Sequence, residues 1–228
     1  MRFIQTIYYI IATLMKNLKK YIPDFLLKAI SGIVETYGNI TGKNVEKTQS
    51  YLDLLIKAIS KRGLYAEEMR DWDIGLILKS SELYDVGKIA VKDEILGKHG
   101  KLTEEEFAEI KKHTTSGEGI IEKMKPNSTE HDFLKHAKIF AATHHEKWDG
   151  SGYPKGLKGL EIPLEGRLMA IADVYNALVS DRPYKKAFSH EEAVEIITDN
   201  KGKAFDPNLV DVFLEISGEF KKISMKGK

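Results

Sequence analysis

Apolar residues recur along this chain at the three-and-four spacing of helices and nowhere sustain the alternation of a strand. Tyr51, Leu54, Leu55, Ala58 and Ile59 define one stripe, and Asp71 to Leu83 carries a second helix rich in Ile and Leu. The run TEEE from Thr103 is a capping box with Glu106 at its third helical position; the helix behind it is expected to bury Phe107 and Ile110, with Gly117 and Gly119 loosening its far end. A second box, SHEE, opens a helix at Ser189 with Glu192 in the matching place, and Asp206 followed by Pro207 starts the last helix. Gly and Pro gather in 150–166, which reads as one long loop. Loops of that length are usually functional or disordered, and Trp148, Tyr153 and Leu157 argue for order. Lys221 to Lys228 reads as a frayed basic tail. The pattern predicts an all-α fold.

At 228 residues the chain suits one good-sized domain or one domain with a helical extension, and its 42% apolar and 30% charged content is ordinary for a soluble globular protein. Lys plus Arg (35) balance Asp plus Glu (34), so no net field attracts a DNA or RNA polymer, and any anionic ligand must be held by a local basic cluster. The absence of cysteine excludes disulfides and thiolate zinc sites, and it fits a cytoplasmic location. Phe3 to Met15 is apolar but broken by Gln5, Thr6 and Thr13, and is too short for a bilayer span of roughly 20 residues. Lys16, Lys19 and Lys20 follow without a small-residue cleavage site. Residues 1–29 are expected to form an amphipathic helix that packs or homodimerises, with a membrane-surface role as the alternative and no transmembrane span.

Five side chains have chemistry that does not suit their surroundings. Asp173 sits in LMAIADVYNALV, a helix apolar nearly all round, where a carboxylate is costly unless paired or metal-bound. His113 lies three residues after Ile110, and His144 and His145 end the apolar helix AKIFAATHH. Asp85 precedes Lys88 by three, so carboxylate and ammonium share a face. Three histidines and two aspartates on inward faces predict a metal site of the kind helical bundles build, suited to iron, manganese, zinc or nickel.

The segment HHEKWDGSGYPKGLKGLEIPLEGRLMAIADVYNAL resembles the signature of the HD-GYP family, and SELYDVGKIAVKDEILGKHGKLTEEEF resembles the stretch around that family's HD dyad. The resemblance runs from about Ile30 to Ile216. It implies an HD-domain helical bundle over 30–217 with extra C-terminal helices and a long GYP loop, flanked by the 1–29 helix and a basic tail at 218–228. It also implies two or three metals and hydrolysis of cyclic di-GMP to a linear dinucleotide or GMP. By this match Asp85 is the metal-bridging aspartate and, with Lys88, catalytic; His113, His144, His145 and Asp173 are further metal ligands. Lys88, Tyr153, Arg182 and Lys185 match residues that contact the nucleotide.

The departures are equally specific. Tyr84 stands where the first metal's histidine is expected, and Asn44 where the family has an earlier histidine. Lys47 replaces a usual arginine, Ile40 a glutamate that serves a third metal, and Asn176 an aspartate. A phenol with a pKa of about 10 is a poor ligand at neutral pH, and an amide oxygen is a weak one. The expectation is one well-held divalent ion per chain, iron or manganese ahead of zinc or nickel. The second position is expected empty or loosely filled, with Tyr84 plugging the space and its hydroxyl on Asp85. The resemblance then implies a protein that binds cyclic di-GMP or a related dinucleotide with hydrolysis impaired. Two alternatives stand beside it: a working phosphodiesterase with altered coordination, and an interaction module whose GYP loop docks a protein partner such as a nucleotide cyclase.

Overall fold

A computed structural model describes residues 43–98, 100–124, 131–181 and 186–225, with the side chains of Lys43 and Asn44 outside that description. The expected helix at 1–29, Ile40, Arg182 and Lys185 lie outside the described residues. Within them the chain forms helices α1 (Lys43–Arg62), α2 (Ile74–Ser81), α3 (Asp93–Leu96), α4 (Glu104–Lys111), α5 (His113–Met124), α6 (His131–Thr143), α7 (Leu164–Val179), α8 (His190–Asp199) and α9 (Pro207–Met225). Short 3-10 turns occupy Val86–Ala90 and Gly159–Glu161. No strand forms among the described residues; a single bridge pairs Lys201 with Phe205. The all-α expectation holds.

Helix α1 lies against α7 and α9. Packing against both widens its buried face, so Tyr51, Leu52, Leu55, Ile56 and Ile59 are sealed while Leu54 and Ala58 are only partly covered. The Tyr51 ring stacks on Phe220 at 4.7 Å and meets the edge of Tyr175 at 5.0 Å, an aromatic centre shared by all three helices. A smaller cluster (Leu83, Val86, Ile121, Phe133, Leu134 and Ala137 among others) joins the 3-10 turn to α5 and α6. Helix α6 also packs on α7, which connects the two cores.

Both capping boxes form: Glu106 N reaches Thr103 Oγ1 at 3.2 Å, and Glu192 N reaches Ser189 Oγ at 3.2 Å. Helix α2 starts later than Asp71 because Asp73 caps it, accepting from Leu76 N at 3.1 Å. Three expectations are corrected. Phe107 is not buried but 46% exposed, because α4 ends at Lys111 and buries no residue. Gly117 does not loosen a helix end; it sits inside α5, where Gly87 packs against its backbone. The C-terminal tail begins later than expected, since α9 continues to Met225 with Phe220 and Ser224 buried.

A buried ionic junction fixes the far end of the bundle. Arg167, 3% exposed on α7, donates through Nη1 to Asp206 Oδ2 at 2.9 Å and through Nε to Ile162 O at 2.8 Å, and pairs with Glu68. Tyr65 Oη donates to the same Asp206 oxygen at 2.8 Å, and Asp206 Oδ1 accepts from Asn208 N at 2.9 Å at the start of α9. Every partner of the buried charge is supplied, which is the condition under which such a pair is tolerated.

Candidate metal centre

Four elements meet where α5, the end of α6, the 3-10 turn and α7 converge. Gly87 sets the closest approach: a Cβ built there would lie 1.9 Å from His113 O and 2.4 Å from Gly117 N. Only glycine lets the 3-10 turn come this near, which brings Asp85 beside His113. Lys112 ends α4 and His113 opens α5, so the histidine stands at a helix junction rather than along one continuous face. His144 and His145 follow the last residue of α6.

The three histidines His113, His144 and His145 offer ligand atoms all within 4.8 Å of one another. Asp85 Oδ1 lies 3.5 Å from His113 Nε2 and 3.7 Å from His144 Nε2. The hydrogen bonds around this cluster decide its chemistry. His113 Nδ1 lies 2.6 Å from Ile110 O, and His144 Nδ1 lies 2.9 Å from Phe140 O. A carbonyl only accepts, so each neutral ring carries its proton on Nδ1 and turns the lone pair of Nε2 inward. Those two Nε2 atoms are 3.2 Å apart, and Asp85 Oδ1 is buried with no hydrogen-bond partner. Three acceptors therefore face one another with no donor among them. That is unfavourable unless a cation takes the place between them, and three imidazoles with one carboxylate suit a divalent transition metal. The residues present fit such an ion.

Electrostatics keep the donors in ligand form. Burial holds His113 down to about 4, with Asp85 opposing and His144 and Lys88 adding to the effect. Burial, with His144 and His113 nearby, holds His145 well below the usual histidine range. Burial alone would raise Asp85; the Lys88 ammonium, with His113 and His144, more than offsets this and holds the carboxyl well below its ordinary value. Lys88 Nζ donates to Asp85 Oδ2 at 2.5 Å, the shared face that their spacing predicts. Asp173 moves the other way, raised by its surroundings and by the Asp85 charge.

Tyr84 does fill space with its ring, which stands edge-on to His144 at 5.2 Å. Its hydroxyl donates to Asp173 Oδ1 at 3.0 Å, and Asp85, the expected partner, also hydrogen-bonds to it as the lesser of the two. Burial and the charges of Asp173 and Asp85 hold the phenol well above 10, so it is a neutral donor. Asp173 is thus joined to the centre through Tyr84. Asn176 turns away from it, its Nδ2 donating to Thr48 Oγ1 at 2.9 Å between α7 and α1. Lys47 Nζ contacts Ser224 O at 3.4 Å, tying α1 to α9. The side chain of Asn44, at the start of α1, lies outside the described residues, as do Arg182 and Lys185.

The GYP loop is ordered from inside. Tyr153 stacks on His145 with ring centres 4.8 Å apart, and its amide donates to His145 O at 3.1 Å. Glu146, 2% exposed, accepts from Lys155 N at 2.7 Å and from Leu157 N at 3.0 Å. A Cβ at Gly152 would fall 2.3 Å from Lys147 N and 2.5 Å from Glu146 Cα, so the loop closes on the histidine strip only with glycine there. Sequence reasoning passed over Glu146; the signal was an acid directly after the histidine pair and before a long Gly-Pro loop. It also passed over His136, whose Nδ1 lies 2.8 Å from Glu165 Oε1 in the wall of a cleft of about 440 Å³. None of the clustered metal donors lines that cleft.

No helix among the described residues is long and apolar enough to cross a membrane. The chain is 42% identical over 92% of its length to a cyclic di-GMP phosphodiesterase of Vibrio cholerae, matching 42% of that relative. It is also 42% identical over 73% of its length to a cyclic di-GMP phosphodiesterase of Thermotoga maritima, matching 44% of it. A 3'3'-cGAMP-specific phosphodiesterase of Vibrio cholerae is 39% identical over 86% of the chain and is matched over 35% of its own length. The chain thus spans less than half the length of these relatives. The HD domain family matches residues 32–209. Helical architecture, clustered histidines and these matches agree: the chain belongs to the HD domain family, in its HD-GYP branch.

Proposed function

We propose that this domain binds a cyclic dinucleotide of the cyclic di-GMP kind at a centre holding one divalent ion, with hydrolysis weakened. The observation that carries the proposal is the set of facing acceptors, Nε2 of His113 and of His144 with the unpartnered Oδ1 of Asp85. His113, His144, His145 and Asp85 would hold the ion. Bound there, it would supply Lewis-acid polarisation of a phosphoryl oxygen and ease the ionisation of water. Lys88 keeps Asp85 ionised and adds positive charge beside it, and Tyr153 offers its ring at the histidine strip.

The weakening is inferred from the second position. A fully served two-ion site needs Asp173 as an ionised, available carboxylate and a basic nitrogen near it. The Tyr84 hydroxyl on Oδ1 leaves Asp173 with further lone pairs, but the group beside it is a neutral phenol, which gives no lone pair comparable with imidazole. The substrate class rests on the relatives' names. A fully active phosphodiesterase is the second reading, favoured by 42% identity to a relative named for that activity.

The test is calorimetry with cyclic di-GMP on manganese-supplemented protein, run beside a hydrolysis assay with an HD-domain relative as reference. Binding with turnover far below the reference is expected. Turnover equal to the reference would transfer the case to the active enzyme. No binding at high micromolar nucleotide would overturn both and leave the protein-docking role of the loop.

A further inference from the structure

Helix α4 carries an aromatic residue that the core does not use. Phe107 is 46% exposed, yet its ring is edge-on to Tyr153, with centres 6.3 Å apart and an interplanar angle of 84°. Tyr153 in turn stacks on His145, so an aromatic series runs from the metal donors outward to Phe107. One turn along α4, Lys111 Nζ lies over both rings, 5.2 Å from the centre of Phe107 and 6.0 Å from that of Tyr153. Other lysines of this region are ion-paired: Lys112 with Glu109, Lys98 with Glu106 and Lys88 with Asp85. Lys111 has no ion pair among the described residues, and its contacts are the two rings. An ammonium held by π faces alone, at the rim of a centre that takes an anion, is placed to meet a ligand.

We propose that the exposed Phe107 ring, backed by Tyr153 and flanked by Lys111, is the platform for one guanine base of the dinucleotide, with Lys111 reading the base edge. The inference rests on the cyclic dinucleotide function above and adds the residues that select the base. The rings supply stacking, which any purine satisfies. Selectivity comes from the ammonium, which offers donors and no acceptor. Guanine presents O6 and N7, both acceptors, on one edge, whereas adenine places its amino donor beside N7. A donor-only side chain next to the stack therefore favours guanine and opposes adenine. A phosphate anchor would need no aromatic neighbours, and a surface ornament would not sit on the ring that touches His145.

The experiment titrates the full chain, with manganese present, against cyclic di-GMP, 3'3'-cGAMP and cyclic di-AMP. It compares the wild type with Lys111→Met, which keeps the apolar stem, and with Phe107→Leu. The wild type should bind cyclic di-GMP most tightly and cyclic di-AMP least. Lys111→Met should lose about tenfold or more for cyclic di-GMP and little for cyclic di-AMP, so the preference collapses. Phe107→Leu should weaken all three alike. Equal weakening of all three by Lys111→Met would make it a phosphate contact and overturn the assignment, as would no change with an unaltered melting curve. A wild type that binds none of the three would overturn the underlying function itself, an outcome distinct from a wild type that binds and a variant that does not discriminate.

Discussion

The hydroxyl of Tyr84 and the carboxylate of Asp173 form one hydrogen-bonded unit at 3.0 Å, linking the 3-10 turn region to α7 beside three clustered histidines. This bond assigns Asp173 to a phenol. Replacing Tyr84 with histidine, together with Asn44→His, should supply two imidazoles beside the carboxylate. The double variant is expected to bind a second ion and to hydrolyse cyclic di-GMP faster than the wild type, as read by metal analysis and product formation. A variant with one ion and no gain in rate would place the defect elsewhere.

Glu146 holds the GYP loop by its backbone. Removing a buried acceptor leaves the amides of Lys155 and Leu157 without partners, worth about 2 kcal/mol locally. Glu146→Ala should therefore speed hydrogen exchange at both amides and weaken nucleotide binding, while the aromatic core around Tyr51 and Phe220 keeps its protection. Unchanged exchange at Lys155 and Leu157 would show that the loop is held by other contacts.

The approach of the 3-10 turn to α5 admits no side chain at Gly87. A methyl group 1.9 Å from His113 O must push the two segments apart. Gly87→Ala should destabilise the fold by roughly 3 kcal/mol, the upper end of overpacking effects, and loosen metal binding by separating Asp85 from His113. Denaturant unfolding of the chelator-treated and metal-supplemented protein checks both parts. Full stability with intact metal affinity would contradict the geometry.

The local features were legible in the sequence and the long-range ones were not. Both capping boxes, the Asp85–Lys88 pair and the adjacent His144 and His145 depend on spacings of a few residues, which the chain displays directly. Phe107 was misplaced because helical periodicity marks it as inward, whereas its helix stops at Lys111 and a new one begins at His113. The Tyr84 hydroxyl reaches a partner 89 positions away, a choice set by how α7 packs and not by neighbours in sequence. Arg167 reads as a surface charge until the Tyr65 and Asp206 segments close over it. Glu146 looks like any solvent-facing acid until the loop folds back on it.

Metal-free protein should lose stability as pH falls through the mildly acidic range. His113 in the folded chain titrates near 4 rather than 6.5, and His145 is lowered in the same direction, both chiefly by burial. Between those values the unfolded chain binds more protons, so acid favours unfolding from about 6.5 downward. Asp173, raised by burial and the Asp85 charge, works in the opposite sense and reduces the size of this dependence, while Asp85, held below its ordinary value, adds to it. Urea midpoints of chelator-treated protein should be lower at pH 5 than at pH 7.5, and the dependence should shrink when His113 and His145 are both changed to asparagine. Equal midpoints for the wild type would mean the rings are protonated as easily folded as unfolded.

The central claim is that the inward lone pairs of His113 and His144, with Asp85 and His145, hold one ion, while Tyr84 leaves the position beside Asp173 without an imidazole for a second. Elemental analysis of the purified, dialysed chain tests it most directly. One divalent transition metal per chain, lost in His144→Ala and retained in Tyr84→Phe, is the predicted result. No metal in the wild type, or two ions per chain, would contradict it.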